Sequence, residues 1–249
     1  EVVPVLGEQG DQRCFWIIDD TGHRKYGRHS VGVARQYCGQ LGKTDNCQVA
    51  VSLSFATLEG SLPLAYRLYL PREWAEDKER RARAGVPKDI RFATKGEIAR
   101  AQIEVALAAG ILRGTVLIDA GYDEAALRDR LTAHGLQYAV GIRSQTKLWW
   151  GKHQPAPTPP AQPTGRPRVR VRRDKTHQPL SALKLARALP AASYRTLNWR
   201  EGTNGQLSSR FARVRVSAAQ ADRARAEEWL LIEWPRGETE PTHYFLSNL

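Results

Sequence analysis

Two short apolar segments, each ending on an aspartate, constrain the fold of this chain more than any other feature. The first, FWIID, covers residues 15–19 and runs directly into a second acid, Asp20. The other, TVLID, covers residues 115–119. Apolar runs of this length are typical of buried strands, and an acid at the end of such a strand lies at the edge of a sheet. If the two strands are neighbours, about 4.8 Å apart, Asp19 meets Asp119.

Two carboxylates at this separation repel each other, and one takes up a proton unless a cation lies between them. Carboxylate oxygens at a rigid sheet edge suit Mg²⁺ or Mn²⁺, and two such ions can hold the attacking and leaving oxygens of a phosphodiester displacement. Asp19 and Asp119 are therefore candidate metal ligands. Asp20, followed by Thr21 and Gly22, is the weaker candidate because this stretch also fits a turn. The structural alternative is that both strand-end acids cap turns or helices.

The overall charge predicts a polyanionic partner. The chain has 38 Lys and Arg against 26 Asp and Glu, a net charge of +12. An excess of this size attracts nucleic acid through its phosphates. No apolar run approaches the length of about 18 residues that a membrane span needs, and no signal-peptide pattern is present. Three cysteines without CxxC spacing predict buried thiols in a reducing cytosol rather than a disulfide framework or a zinc site.

The hydrophobic pattern predicts three strands, then helices and strands in alternation. This order indicates a mixed sheet with helices, an α/β or α+β layer structure. The predicted strands and helices of this part are strands 13–19, 46–57 and 62–71, a charged helix over 72–85, a helix over 95–110, a strand ending at 119, a helix over 123–135 and a strand over 136–143. A proline-rich segment, 153–167, follows, and the remainder is predicted to be basic and mainly β, with one helix bounded by prolines.

Several long motifs resemble the bacterial insertion-sequence transposases of the DDE superfamily. They are WIIDDTGHRKYGRHSVGVARQYCGQLGKTDNCQVAVSLSFA, LPLAYRLYLPREW, VLIDAGYD and LLIEWPRGETEPTHYFLSNL. The resemblance is greatest to the branch that carries IDDTG…SVGVARQYxGxLGK. It implies an RNase H-like fold, a mixed sheet flanked by helices and interrupted by a mostly β, basic insertion. It also implies an Asp-Asp-Glu catalytic triad that binds two divalent ions, Mg²⁺ or Mn²⁺.

The motifs carry two members of the implied triad onto this sequence. Asp19 matches the first acid in an hhDxT pattern with Thr21, and Asp119 matches the second in an hhhDxxY pattern with Tyr122. The family's Glu lies on a helix after the insertion, in a Tyr-x-x-Arg-x-x-x-Glu type of motif, and no such helix is predicted here. The glutamates near the end lie in a predicted strand and turn, which is the wrong context: Glu233, Glu238 and Glu240.

We therefore expect the third acid to be missing from this chain. The sequence begins at Glu1 and contains no Met, so we interpret it as a truncated piece or a broken gene copy. The expected domains are an RNase H-like core over 1–145 with the first two acids, a β-rich basic insertion over 146–235 with the proline-rich loop, and a return toward the core over 236–249.

Cationic residues near the acids and in the insertion are candidate DNA contacts. The alternative for each is a solvated basic turn or face. The candidates are His23, Arg24, Lys25, Arg28, Lys43, Arg168, Arg170, Arg172, Arg173 and Lys175. Lys95, at a predicted helix start, is a weaker phosphate-binding candidate. Trp149, Trp150 and Trp199 could stack on an unpaired base, but core positions are the more common role of tryptophan.

The resemblance implies metal-dependent cleavage and strand transfer of double-stranded DNA at transposon ends and target, by a homodimer in the bacterial cytoplasm near the nucleoid, with no membrane partner. The alternative is a non-catalytic, transposase-derived DNA-binding or oligomerisation module. A phosphatase that uses Asp19 as a covalent nucleophile is disfavoured, because it needs a second Asp at the position of Thr21.

Overall fold

The computed structural model describes residues 13–156, 174–202, 205–220 and 225–249, with only the backbone described at 199–202. The chain divides into two compact units, residues 1–137 and 138–249. The predicted mixed α/β fold class is confirmed, and the architecture is consistent with an RNase H-like fold. Whether the predicted boundaries at 145 and 235 delimit a core and an insertion stays a prediction.

The first unit contains strands and helices in the predicted order, with one addition. Its strands are β1 (Phe15–Arg24), β2 (Ala34–Cys38), β3 (Lys43–Ala56), β4 (Ser61–Leu68) and β5 (Thr115–Ile118). Its helices are α1 (Arg72–Glu76), α2 (Lys78–Arg83), α3 (Lys95–Ala108) and α4 (Ala125–Ala133). The strand β2, with sequence ARQYC, was not predicted.

The long strand β3 organises the sheet of this unit. It pairs antiparallel with β1 along one edge, and with β2 and β4 along the other. On its far edge β1 pairs parallel with β5, from Phe15 opposite Thr115 to Ile18 opposite Ile118. The sheet is therefore mixed: an antiparallel meander extended by one parallel strand, which is the arrangement that a βαβ-type connection through α3 requires.

Side chains from β1, β5 and α3 form the core of this unit. Trp16 and Ile18 on β1, and Val116 on β5, are buried and alternate with more exposed neighbours, as a period of two requires. The indole Nε1 of Trp16 donates to the carbonyl of Leu112 at 2.9 Å. The helix α3 packs on β3, and its buried Gln102 donates to the carbonyl of Val51 at 3.0 Å.

Two predicted boundaries in this unit were wrong. The strand β1 does not end at Asp19 and Asp20 but continues to Arg24, because β3 still supplies ladder partners there, from Ser52 to Cys47. The charged helix predicted over 72–85 is two short helices. The break falls at Asp77, whose side chain accepts a hydrogen bond from the amide of Arg80 and so caps α2.

The second unit is mainly antiparallel β. Its elements are β6 (Tyr138–Gly141), β7 (Lys147–Trp149), β8 (Leu180–Ser181), α5 (Ala182–Ala188), β9 (Arg195–Gly202), β10 (Gly205–Ala218), β11 (Glu227–Trp234) and β12 (His243–Ser247). Within this unit the strands follow the order β6-β12-β11-β10-β7-β8, and β9 pairs with β10. Its core includes Leu148, Leu185, Leu230 and Leu246, all fully buried.

The tryptophans proposed as base-stacking candidates lie mostly in or on this core. Trp149 is buried, and Trp150 packs against the core of the second unit. The side chain of Trp199 lies outside the described residues. Most of the proline-rich segment and of the predicted cationic strand also lie outside them, within 157–173. None of the described helices is long and apolar enough to cross a membrane.

We expect Gly114→Ala to weaken the contact between β1 and β5. A Cβ at this position would lie 2.8 Å from the carbonyl oxygen of Cys14 and 2.9 Å from the Cα of Phe15, so backbone must move to make room. Overpacking of this kind costs about 1–3 kcal/mol, which urea denaturation would detect as a lower free energy of unfolding. Gly60→Ala is the matched control, because nothing lies within 4 Å of its added Cβ. Equal stability of the two variants would contradict the prediction.

Candidate active site

The parallel ladder between β1 and β5 brings the two predicted acids together. Its last pair is Ile18 opposite Ile118, and Asp19 and Asp119 are the next residues on the two strands. Asp119 keeps an extended backbone, with φ −71° and ψ 162°, so the alternation of β5 continues through it. Neighbouring strands are about 4.8 Å apart, which places both carboxylates side by side on one face. The sequence predicted this meeting only on the condition that the strands were neighbours, and they are.

The electrostatics of Asp19 reflect this arrangement. The pKa of its carboxyl is raised above the ordinary value, chiefly because it is partly withdrawn from water, and further because the carboxylates of Asp20 and Asp119 repel its charge. A hydrogen bond from the Asp20 amide, 2.7 Å from Asp19 Oδ1, and the positive charge of Lys95 act in the opposite direction. Asp19 therefore carries negative charge that a nearby cation would stabilise.

Asp20 lies on the opposite side of β1 from Asp19 and has its own partner. Its carboxylate forms an ion pair with the ammonium of Lys95, the first residue of α3. The start of α3 is fixed by a capping box, in which Thr94 Oγ1 accepts from the Glu97 amide and the Glu97 carboxylate accepts from the Thr94 amide. The helix thus holds Lys95 next to the acids. Sequence reasoning identified Lys95 as a possible phosphate ligand but missed this ion pair.

Tyr122 adds a buried hydroxyl to the same region. Its side chain is 1% exposed, and its hydroxyl has no hydrogen-bond partner among the described residues. Burial raises the pKa of this phenol well above its ordinary value, and the charges of Asp20, Asp19 and Asp119 raise it further. Buried hydroxyls normally have a partner. This hydroxyl, close to three carboxylates, therefore keeps unused hydrogen-bonding capacity among the described residues. The hhhDxxY pattern singled out this residue, but no role was predicted for it.

The turn after Asp119 is held by a buried ion pair. Arg128, on α4, is fully buried and pairs with Asp123, which follows Tyr122 directly. Because both partners lie within unit one and one of them is at the end of the turn, the pair fixes the chain that carries Tyr122 from β5 into α4. Removing either partner would take away the ion pair that offsets the burial of the other charge.

The donor set fits a hard divalent cation. The two carboxylates that follow the last pair of the β1–β5 ladder are oxygen donors, which Mg²⁺ and Mn²⁺ prefer, and the hydroxyl of Tyr122 is a further oxygen in the same region. Within the described ranges, no group of three or more His, Cys, Asp and Glu side chains is arranged to hold a metal ion. Asp19 and Asp119 therefore fit as two carboxylate ligands, not as a complete ligand set.

The glutamates considered as a third acid have other partners. Glu233 lies in β11 and pairs with His243, 2.9 Å away, and Glu240 pairs with Arg187. Glu238 lies in the connection between β11 and β12, where its carbonyl accepts a hydrogen bond from the indole of Trp234. These are the strand and turn positions that the sequence indicated.

The predicted DNA-contacting cations of the first unit are found at two places. His23 and Arg24 lie in the last part of β1 and are exposed, and Arg24 also pairs with Asp45 at 3.4 Å. Lys25 and Arg28 follow in the connection to β2. The exposed Lys43 is the first residue of β3. In the second unit Lys175 is exposed, and the remaining candidates lie outside the described residues: Arg168, Arg170, Arg172 and Arg173.

Comparisons with known proteins agree with the geometry. The model of the DDE superfamily endonuclease family matches residues 2–206. A curated relative, a probable transposase for insertion sequence element IS701 from Microchaete diplosiphon, is 38% identical over 130 residues, which are 51% of this chain and 31% of the relative. The chain thus spans just under a third of the length of the curated relative it matches. Since the family match covers most of the sequence, this chain belongs to the DDE superfamily of endonucleases.

Proposed function

We propose that this chain is part of an insertion-sequence transposase, which cleaves DNA at transposon ends and transfers the strands to a target in a reaction that depends on Mg²⁺ or Mn²⁺. The observation that carries the proposal is the parallel register of β1 and β5, which sets Asp19 beside Asp119. The endonuclease family and the transposase relative support the same function.

In this proposal Asp19 and Asp119 hold the metal. Divalent cations bound there would supply positive charge that activates a nucleophilic oxygen and stabilises the leaving oxygen of a phosphodiester. The neighbouring residues have separate tasks. Lys95 neutralises Asp20, so that the site does not carry three uncompensated negative charges. The hydroxyl of Tyr122 is available to orient a water molecule or an acid at the site.

The DNA is proposed to reach the acids through the exposed cations around them. His23 and Arg24 lie three and four residues after Asp20 on β1, so a DNA strand held by these side chains would run past the carboxylates. Cations at a phosphate backbone supply affinity that does not depend on base sequence. The cationic residues of 166–173 are proposed to add further contacts of this kind, as the alternation of Arg and Val in their sequence suggests.

A non-catalytic DNA-binding role is the second candidate for this chain acting alone. The observation in its favour is that the described residues offer two neighbouring carboxylates at this edge of the sheet and no arranged group of three. A nicking assay distinguishes the two roles. Metal-dependent nicking of plasmid DNA by this chain supports the enzyme, whereas DNA binding without nicking supports the binding module.

Asp119→Asn is expected to abolish nicking in the intact protein while DNA binding is kept. The amide cannot supply the charge that holds a divalent cation, and losses of at least about 100-fold are typical when a group that stabilises transition-state charge is removed. Nicking is followed as relaxation of supercoiled plasmid in Mg²⁺ and in Mn²⁺, and binding as retardation of a duplex in EDTA.

Asp89→Asn is the matched control for this experiment. It removes one negative charge from an exposed loop of the same unit, so its general effect on the net charge is equal. We expect Asp89→Asn to nick like the wild type. Retained nicking in Asp119→Asn, or an equal loss in both variants, would exclude Asp119 as a metal ligand.

Metal binding by this chain can be measured without catalysis. We expect Asp19→Asn to weaken Mn²⁺ binding at least about ten-fold, because a carboxylate ligand is lost. Lys95→Gln should have the opposite effect and tighten binding on the order of five-fold, since the positive charge of Lys95 acts on Asp19 and a charge at close range contributes about 1 kcal/mol even in water.

Free Mn²⁺ is quantified by electron paramagnetic resonance during titration of the protein. Lys43→Gln removes the same charge from an exposed position at the start of β3, four residues before the ladder with β1 begins, and serves as the control. An affinity that is unchanged by Asp19→Asn, or lowered by Lys95→Gln, would place the ion elsewhere.

A further inference from the structure

The first unit has a cleft of about 470 Å³ that is separate from the acids. It lies between the connection that follows β1 and the helices α1 and α2. We call it the arginine cleft, and its lining residues are Arg28, His29, Trp74, Arg80, Arg83 and Ala84. Among the described residues that line it, none is acidic. Three guanidinium groups around one concave surface form an environment for an anion.

The floor of the arginine cleft is rigid. Trp74 is fully buried, its indole Nε1 donates to the carbonyl of Val33 at 2.7 Å, and its ring packs with Val33 and Leu70 in a small core. The guanidinium of Arg80 lies over this ring, 3.8 Å from its centre, and donates to the carbonyl of Arg28 at 3.1 Å. Arg80 is therefore held in place before any ligand arrives.

The two other guanidinium groups of the cleft form no ion pair among the described residues. Arg28 and Arg83 are exposed, and neither forms an ion pair with another described residue. Arg81, on the same helix as Arg83, shows the contrast, because it donates to the carbonyls of Ala75, Pro87 and Ile90 and so stabilises the fold. Arg80 and Arg83 are three residues apart and share a face of α2. Of the three arginines that line the cleft, Arg80 is held by Trp74 and by the carbonyl of Arg28, whereas Arg28 and Arg83 form no ion pair within the described part of the chain.

The ladder between β1 and β3 locates the connection that leads to the cleft. Asn46 donates to the carbonyls of Lys25 and Gly27, and so fixes the connection that leads to Arg28. Asn46 lies six residues along β3 from Ser52, the partner of Asp19. At about 3.4 Å per residue, this distance is about 20 Å along the strand direction. The connection that leads to the cleft is therefore anchored well away from Asp19 along the strand direction.

We propose that the arginine cleft binds the phosphodiester backbone of the DNA that flanks the scissile phosphate. The proposal rests on the function proposed above, in that it takes DNA as the ligand and the acids as the point of cleavage. Arginine forks are matched to phosphate oxygens, and the arrangement of one preorganised and two free guanidinium groups can hold two consecutive phosphates. The contact is independent of base sequence, and it positions the DNA for the acids.

The test compares two double variants of this chain that lose the same charge. R28Q/R83Q removes the free guanidinium groups of the cleft and leaves Arg80 on Trp74 intact. R113Q/R130Q is the matched control: Arg113 is exposed and precedes β5, at the opposite end of that strand from Asp119, and Arg130 is exposed on α4. Circular dichroism confirms that both variants are folded before binding is measured.

Affinity for a duplex of about 30 base pairs is measured in EDTA between about 50 and 200 mM KCl. The slope of log K against log salt concentration gives the number of phosphates that the protein neutralises. We expect the slope of R28Q/R83Q to fall by about 2 and its affinity at low salt by about ten-fold or more. R113Q/R130Q should keep the wild-type slope. Equal slopes for the two variants, or no measurable binding by the wild type, would overturn the proposal.

A second measurement tests the position. Ethylation of single phosphates in a duplex with a transposon end should interfere with binding of the intact protein at phosphates that flank the cleavage point, and R28Q/R83Q should lose this signal at the phosphates that the cleft contacts. Interference that persists there in R28Q/R83Q overturns the assignment. Both measurements are made without metal, so they remain interpretable even if Asp19 and Asp119 do not bind a metal ion. Conversely, the nicking result would stand even if the arginine cleft does not bind DNA.

Discussion

The parallel ladder between β1 and β5 is the interaction on which the candidate active site depends. It has only four residue pairs, and the two acids follow its last pair. Their repulsion opposes the ladder at that end, so the ladder must be held from the other end. Trp16 does this through its burial and its bond to the carbonyl of Leu112, and Gly114 does it by allowing β5 to approach the backbone of Cys14. The chemistry at one edge of the sheet is thus supported by packing at the other.

The same constraint explains how a strongly basic chain accommodates clustered acids. Lys95 reaches Asp20 because a capping box fixes the first turn of α3, and other cations lie further along β1 and in the arginine cleft. Negative charge is therefore concentrated at one point and surrounded by positive charge. Such a distribution attracts a polyanion over a wide surface and a divalent cation at one place. Both attractions favour the same complex. A bound divalent cation would reduce the repulsion between the acids and the polyanion, and the polyanion would reduce the repulsion between that cation and the surrounding basic side chains.

The sequence predicted the strands that carry Asp19 and Asp119, because apolar β-type residues run directly into both acids. It also predicted α3 and α4 from their periodicity, and a second part of the chain that is mainly β. The end of β1 was misjudged, since Asp-Asp-Thr-Gly has the composition of a turn while β3 in fact continues to pair with it. β2 was missed because its sequence, ARQYC, shows no clear alternation of polar and apolar residues. The ion pair of Lys95 with Asp20 joins residues far apart in sequence, and the stacking of Arg80 on Trp74 crosses a helix break. Contacts of this kind depend on tertiary structure, which local pattern does not encode.

The alternation of side chains along β1 has a consequence for how this family of sequences can vary. Asp19 faces one side of the sheet and Asp20 faces the other, where it forms an ion pair with Lys95. Inserting or deleting one residue between Trp16 and Asp19 would exchange these two faces, and the pair with Asp119 would be lost although every residue type remained. A change of length in the turn between β3 and β4, at 57–60, would leave that register untouched. The number of residues in β1 is therefore constrained, whereas the number in the turn at 57–60 is not. Related sequences should differ in the length of this turn before they differ in the spacing of their acids.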